Sequence, residues 1–202
     1  MGNPTENEIG YSLRLPGGVG DIATLPSVLN SFFQRTDTTF AIVFDIEFTD
    51  DNYNVFFGGA ISSSSIKLMR NKTTGKIDLE LIDESADHRD YTWTAELLKN
   101  TWYTFIVNGT ANAADGIQLY IAGTQKTASA QTNAAGYDAA VSPVLKFGDI
   151  DATNLGGCNV SKPYFYNRNL TAQEIADINK IKKYPSDFAY GWNLKRPNIG
   201  LE

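Results

Sequence analysis

The stretch Asn100-Thr-Trp-Tyr-Thr-Phe-Ile-Val-Asn-Gly109 decides the fold that is predicted for this chain. Its middle part, residues 102–107, is an unbroken run of β-branched and aromatic residues, which is typical of a strand, and Asn108-Gly109 closes it. Downstream, residues 117–121 alternate apolar and polar side chains, which predicts a second strand with one buried face. Because a strand that is apolar on both faces has to lie between two layers, residues 102–107 are predicted to form a central strand of a two-sheet sandwich.

The composition is typical of one packed β domain with many turns. The 202 residues include 17 glycines and 7 prolines, and 12% of the residues are aromatic while only 20% are charged. A chain of this length can bury most of its apolar surface, and this balance of residues argues against disorder. We therefore predict a single all-β domain with little helix.

Charge argues against nucleic acid as a partner, and hydropathy argues against a membrane span. The formal net charge is −6 and the sequence pI is about 4.8, so a phosphate backbone would be repelled. The nearest basic group, Lys180, Lys182 and Lys183, falls at the end of a predicted helix, where cations complement the helix dipole. Apolar runs such as residues 40–44 are too short to cross a bilayer. No nucleic acid partner and no membrane insertion are expected.

The single cysteine and the N-terminal residues bear on cellular location. Cys158 alone excludes an internal disulfide framework, and its setting, Gly-Gly-Cys-Asn-Val, predicts a small buried strand residue. Residues 1–8 are polar and acidic and do not resemble a secretory signal, so synthesis in the cytoplasm is expected.

The patterns divide the chain into three segments. A polar arm is predicted over residues 1–10, the sandwich domain over 11–184 and an irregular tail over 185–202. Apolar runs predict further strands at residues 11–15, 21–26, 38–49, 54–61, 66–70, 76–82, 91–94, 144–147 and 160–166. Residues 128–143 have no sustained period and form either a long surface loop or a loop that contains one edge strand.

Two short helices are predicted. Ser27 can cap the first, near residues 27–33. In the second, Thr171 and Glu174 form a capping box, in which the threonine hydroxyl accepts from the helix amide and the glutamate reaches back. That helix ends near Tyr184-Pro185 and places three isoleucines on one face: Ile175, Ile178 and Ile181.

Four motifs carry a resemblance to a known superfamily. In chain order they are D-x-x-x-x-P at residues 21–26, Thr101-Trp102-Tyr103, G-x-x-L-Y-x-x-G at residues 116–123, and Tyr166-Asn-Arg-Asn-Leu-Thr-Ala-Gln-Glu-Ile175. In their order and spacing they resemble the laminin-G-like, concanavalin-A-like lectin-glucanase jelly-roll superfamily. The resemblance implies a two-sheet antiparallel jelly-roll sandwich with one short C-terminal helix, in which Leu170 plugs one end of the stack. It also implies several kinds of function, because the superfamily includes glycan-binding modules, glycan-cleaving enzymes, adhesion domains and virion proteins.

Asp45 and Glu47 are the strongest catalytic candidates. Two residues apart on a strand, they share one face with Cα atoms about 6.5–7 Å apart, near the spacing of glycosidase carboxylates. The glycan-cleaving branch of the superfamily carries E-x-D-x-E on a strand, and here Thr49 stands where the third carboxylate would be. Charged residues that alternate with apolar ones are typical of a one-sided strand, so we interpret the pair as a solvated polar face.

The only histidine, His88, lies in Asp87-His88-Arg89-Asp90, which is interpreted as part of a charged loop over residues 83–90. One histidine and one cysteine do not indicate a zinc site, and four loop residues do not indicate a catalytic triad. No catalytic residue and no cofactor are therefore predicted.

Two groups of residues are candidates for ligand binding. Oxygen ligands at spaced loop positions fit calcium, although turns rich in Asp and Asn form without a metal; they are Asp149, Asp151 and Asn154. Aromatic residues in or beside loops can stack on sugar rings, or pack in the core instead; they are Tyr91, Trp93 and Tyr137.

These features predict a non-catalytic binding or structural module. The expected setting is a virion, as a bacteriophage surface, decoration or fibre component made in the cytoplasm. Its expected partners are other structural proteins or further copies of itself, and cell-surface glycan is the expected ligand class. Two alternatives stay open: a secreted carbohydrate-binding or adhesion module, extracellular after loss of a signal peptide, and a glycanase that uses Asp45 and Glu47.

Overall fold

The computed structural model describes residues 4–7, 10–15, 22–29, 39–50, 54–61, 64–71, 75–83, 85–110, 116–133, 144–148 and 157–182. The strands are β1 Pro4–Asn7, β2 Gly10–Leu15, β3 Ile22–Thr24, β4 Thr39–Phe48, β5 Asn54–Ile61, β6 Ser64–Asn71, β7 Lys76–Ile82, β8 His88–Thr94, β9 Trp102–Thr110, β10 Ile117–Ile121, β11 Thr124–Lys126, β12 Ala128–Asn133, β13 Lys146–Gly148 and β14 Cys158–Tyr166. A 3-10 turn covers Ser27–Leu29, and helix α1 covers Ala172–Lys182.

The strands form two antiparallel sheets, as the all-β sandwich prediction requires. The first sheet has the order β1-β2-β14-β4-β9-β10-β11, and the second has the order β12-β8-β7-β6-β5-β13-β3. Strand β9 lies between β4 and β10, which confirms the central position predicted for residues 102–107.

The two faces of β9 meet different surroundings. Phe105 and Val107 face the second sheet and belong to the main core, whereas Ile106 lies on the opposite face in a smaller apolar cluster. The prediction of burial on both sides therefore holds for the second half of the strand. The first half is only half-buried, because Trp102 and Thr104 lie on the outer face beyond the area that the helix covers.

An aromatic cluster fills the space between the sheets. Phe44 packs against Phe105 with ring centroids 5.7 Å apart and against Phe147 at 5.3 Å. Phe56 lies 5.3 Å from Phe48 in an edge-to-face arrangement. Each fully buried ring of this kind contributes about 1.5–3 kcal/mol through burial alone, so this cluster contributes strongly to stability.

Strand β5 contains a bulge that places two consecutive side chains in this core. The register against β6 shifts between Val55 and Phe57, so the consecutive rings of Phe56 and Phe57 both pack in the core. Gly58-Gly59 in this strand predicts either a bulge or a close backbone approach, and the bulge lies slightly earlier. Gly58 is instead the site of close backbone approach, because a Cβ there would collide with the Ile66 carbonyl.

Helix α1 covers part of the outer face of the first sheet. Leu170 and Ile175 pack on Ala41, Val43 and Ile106, whose side chains point away from the inter-sheet core. The prediction that Leu170 plugs an end of the sandwich is therefore wrong. It lies on the outer face, since Asn108 binds its backbone from β9: the Leu170 amide donates to Asn108 Oδ1 at 2.8 Å.

The capping box at the start of α1 is confirmed. The Glu174 amide donates to Thr171 Oγ1 at 3.3 Å, and the Thr171 amide donates to Glu174 Oε2 at 2.8 Å. Arg168 adds two hydrogen bonds to the same carboxylate, at 2.7 and 3.0 Å. These bonds hold the chain between β14 and α1 in place and direct the helix across the sheet.

Several boundaries differ from the predictions. Residues 4–7 of the predicted polar arm form β1, which pairs with β2. The helix predicted at 27–33 is a single 3-10 turn where it is described, and residues 30–38 lie outside the described part. For residues 128–143, the alternative of a loop that contains one edge strand is the correct one: that strand is β12, which pairs with β8. Strand β11, which follows the turn at Ala122-Gly123, was not predicted.

Candidate functional site

The part of the first sheet that α1 leaves uncovered carries a group of polar side chains around one tryptophan. We call this group the Trp102 patch; its members are Asp45, Glu47, Trp102, Thr104 and Asn159. Glu47 lies on β4, with Trp102 opposite it on β9 and Asn159 opposite it on β14. Residues opposite each other in antiparallel strands have Cβ atoms about 4.5–5.5 Å apart, so these three side chains are neighbours.

Hydrogen bonds across the strands hold the carboxylates of the patch. Thr104 Oγ1 donates to Asp45 Oδ1 at 2.7 Å, and Asn159 Nδ2 donates to Glu47 Oε2 at 2.6 Å. Asp45 is only 3% exposed, whereas Glu47 is half-buried. The interpretation of the pair as a solvated polar face is therefore wrong for Asp45, because β9 and β14 flank it and Thr104 takes the place of water.

Trp102 gives this patch an apolar surface. Its side chain is half-buried and lies on the outer face, because the next residue, Tyr103, packs against the inter-sheet core. A partly exposed indole beside hydrogen-bonded carboxylate and amide groups can stack on the apolar face of a sugar ring while the polar groups bind its hydroxyls. Trp102 was predicted as part of the central core strand and not as a binding residue. The sequence did contain an indication: Trp102 lies an odd number of residues before Phe105 and Val107, so its side chain points to the opposite face of the strand.

Two of the predicted glycan-contact residues are in the core. Tyr91 and Trp93 are each 1% exposed and stack with ring centroids 5.6 Å apart and an interplanar angle of 6°. Strand β8 turns both side chains toward the first sheet, so neither can contact a sugar, and the core-packing alternative is correct for them. Tyr137 and the calcium candidates Asp149, Asp151 and Asn154 lie outside the described residues.

A second polar area lies on the outer face of the second sheet. An open depression of about 260 Å³ is lined by Met69, Asp78, Glu80, Asp90 and Thr92 on three neighbouring strands. Lys67 Nζ lies 3.2 Å from Glu80 Oε1, and the Ser65 hydroxyl donates to the same oxygen at 3.4 Å.

His88 stands beside this depression. The prediction that it belongs to a charged loop is wrong, since β8 begins at His88 and pairs it with Ile82. Its Nδ1 lies 3.7 Å from Asp90 Oδ2. Burial raises the pKa of Asp90 above its ordinary value; Glu80 and Asp78 raise it further, and His88 opposes the shift.

The loop before β8 is shorter than predicted and is held by one aspartate. Asp83 is fully buried, and its Oδ1 accepts from the amides of Ser85 and Asp87, both at 2.9 Å. Such a side-chain-to-backbone turn ends one strand and starts the next within a few residues.

Across the described ranges, no helix is long and apolar enough to span a membrane. Neither a protein-family model nor a curated protein sequence matches this chain.

Solved structures of botulinum neurotoxin binding domains share the fold. The serotype G binding domain matches with a TM-score of 0.66 and 15% identity, over 86% of this chain and 43% of its own. The receptor-binding domain of the C/D mosaic serotype matches with a TM-score of 0.68 and 16% identity, over 90% of this chain and 45% of its own. That of botulinum neurotoxin D matches with a TM-score of 0.66 and 16% identity, over 89% and 46%. This chain thus spans less than half the length of these structures, and the similarity shows the β-sandwich fold alone.

Proposed function

We propose that this protein is a non-catalytic binding module that takes a cell-surface glycan on the Trp102 patch. The observation that carries the proposal is the half-buried Trp102 beside the hydrogen-bonded pair of Glu47 and Asn159, on the part of the first sheet that α1 leaves uncovered. Lectin-type recognition needs this combination of an aromatic plane and fixed polar groups. Structures that share the fold are named as receptor-binding domains, which supports a binding role.

The resemblance to the laminin-G-like, concanavalin-A-like superfamily supports the same proposal. Of the four motifs, one contains Trp102, and another contains the Arg168 to Glu174 segment that fixes α1 on the sheet. We place the protein in that superfamily as part of the proposal, together with a role in glycan binding rather than glycan cleavage.

The test is binding to a panel of glycans, followed by titration of the ones that bind. Truncation of a central aromatic contact costs about 2 kcal/mol or more, so Trp102→Ala should lower the affinity about 30-fold or more. Trp102→Phe keeps an aromatic plane and should lose less. Val144→Ala removes an exposed apolar side chain next to β13 of the second sheet and should bind like the wild type. Unchanged affinity of Trp102→Ala would contradict the proposal.

The same glycans test the glycanase alternative. We expect no new reducing ends when the wild type is incubated with them. Turnover that disappears in Glu47→Gln, a variant that keeps the shape of the side chain, would instead assign catalysis to the Asp45 and Glu47 pair.

We propose further that the module is part of a bacteriophage particle, where it is displayed with other structural proteins or with copies of itself. Mass spectrometry of purified particles should then detect the chain in fixed proportion to the other virion proteins. Detection only in the growth medium would support the secreted adhesion module instead.

A further inference from the structure

We propose that Glu80, His88 and Asp90 bind one divalent transition-metal ion, of the Zn²⁺ class, on the outer face of the second sheet. One imidazole nitrogen and one oxygen of each carboxylate lie within 4.8 Å of one another. This site is separate from the Trp102 patch, which lies on the other sheet.

The sheet register brings the three residues together. Glu80 on β7 lies directly opposite Asp90 on β8, and His88 precedes Asp90 by two residues, so it shares the same face. The neighbours that alternate with them, Leu79 and Tyr91, are buried in the core. The pleated sheet therefore presents the three ligands outward on two strands that are each paired on both sides, and placement on strands rather than loops helps a site to keep its geometry.

The charge around the three residues favours a cation. Three carboxylates, those of Asp78, Glu80 and Asp90, line the depression, and Lys67 is the cation paired with Glu80. Among the described residues, Asp90 Oδ1 is buried without a hydrogen-bond partner, an arrangement that ordinarily costs free energy. A dipositive ion at this position would balance the remaining negative charge and supply an electrostatic partner for the Asp90 carboxylate.

The donor set selects the class of metal. An imidazole with two carboxylates suits zinc and similar transition metals, whereas calcium and magnesium take oxygen ligands. Three protein ligands leave at least one coordination position for water or for an oxygen of a bound molecule. Because a carboxylate has two oxygens, Glu80 can bind the ion through one while Lys67 stays near the other.

Calorimetric titration of the metal-free, untagged protein with Zn²⁺ at neutral pH tests the site. One ion should bind per chain, and His88→Gln and Asp90→Asn should each weaken binding about tenfold or more. Asp78→Asn is the matched control. It makes the same charge change in the same depression without removing a ligand, so it should weaken binding less than about fivefold. Without metal, His88→Gln and Asp78→Asn should keep the wild-type melting temperature, because these side chains are partly exposed. Asp90→Asn should not lower it, since this variant removes a carboxylate whose Oδ1 is buried without a hydrogen-bond partner among the described residues.

Four results would overturn the proposal. The first is the absence of saturable binding of one ion per chain. The second is unchanged affinity in His88→Gln, which would show that acidic charge alone attracts the ion. The third is equal weakening by Asp78→Asn and Asp90→Asn. Displacement of Zn²⁺ by millimolar Ca²⁺ would likewise contradict a site that depends on imidazole.

Discussion

At the scale of single residues, backbone space at Gly58 controls the pairing of two central strands. Its φ is +148°, and a Cβ at this position would collide with the Ile66 carbonyl of the adjacent strand. Gly58→Ala should therefore destabilise the fold by about 3 kcal/mol or more, from strain of about 1–3 kcal/mol and a forced backbone shift of similar cost. Chemical denaturation measures the change in the free energy of unfolding.

Gly75 provides the control for this prediction. It also has a positive φ, +63°, but the nearest atom to an added Cβ is the Ala95 carbonyl oxygen at 3.8 Å. Gly75→Ala should cost only about 1 kcal/mol, the ordinary penalty for a left-handed alanine. Equal losses in the free energy of unfolding of the two variants would show that the positive φ of Gly58, rather than its close contact with β6, limits substitution there.

The two tryptophans described in the strands show how strand phase separates structure from function. Trp93 is buried in the core and stacks on Tyr91, whereas Trp102 is half-buried on the outer face. Both occur in segments with the same strand-like composition. Their roles differ because the neighbouring strands decide which face of each segment is covered, and that information is not local.

At the scale of elements, the start of α1 depends on one carboxylate. Hydrogen bonds from Arg168 and from the Thr171 amide lower the pKa of Glu174 from 4.5 to about 2. The folded pKa lies below the unfolded one, so the stabilisation is present above about pH 4.5 and is lost as the pH falls toward 2.

Glu174→Gln should lower the free energy of unfolding by about 0.5 kcal/mol near neutral pH, since the carboxylate is partly exposed and solvent screens its charge. The difference between variant and wild type should shrink as the pH is lowered through this range. Urea denaturation of both proteins at several pH values measures it. A difference that stays constant with pH would show that the glutamate acts only as a neutral cap.

At the scale of the whole molecule, the two apolar clusters should differ in stability. The inter-sheet core is built around rings such as Phe44, whereas the cluster under α1, as far as the described residues show it, is small and is covered by a helix of 11 residues. Elements with few buried contacts open without global unfolding. Amide hydrogen exchange should therefore be faster in α1 than in β4 and β9.

A pair of truncations tests the same difference. Phe44→Ala should cost about 3–5 kcal/mol and raise exchange throughout both sheets. Ile175→Ala should cost about 2 kcal/mol and raise exchange mainly in α1. Faster exchange in the second sheet of the Ile175→Ala protein would contradict the separation, because it would show that the helix and the sandwich open together.

Much of this fold is local in origin and could be predicted. The composition of residues 102–107, the alternation in β4 and the Thr171 to Glu174 box determine element type through propensity, period and capping, which depend on nearby residues only. Burial of Cys158 followed from its small neighbours in the same way.

The candidate sites, by contrast, were decided by tertiary structure. Asp45 can be buried because Thr104, 59 positions away, supplies its hydrogen bond. Leu170 lies on the outer face, where Asn108 accepts a hydrogen bond from its backbone amide. The ligands Glu80 and His88 come from different strands, and only the register of β7 against β8 brings them together. Sequence periodicity specifies which residues share a face of one strand. Which face is then covered, and which residue lies opposite, depends on long-range pairing, for which the local sequence carries no signal.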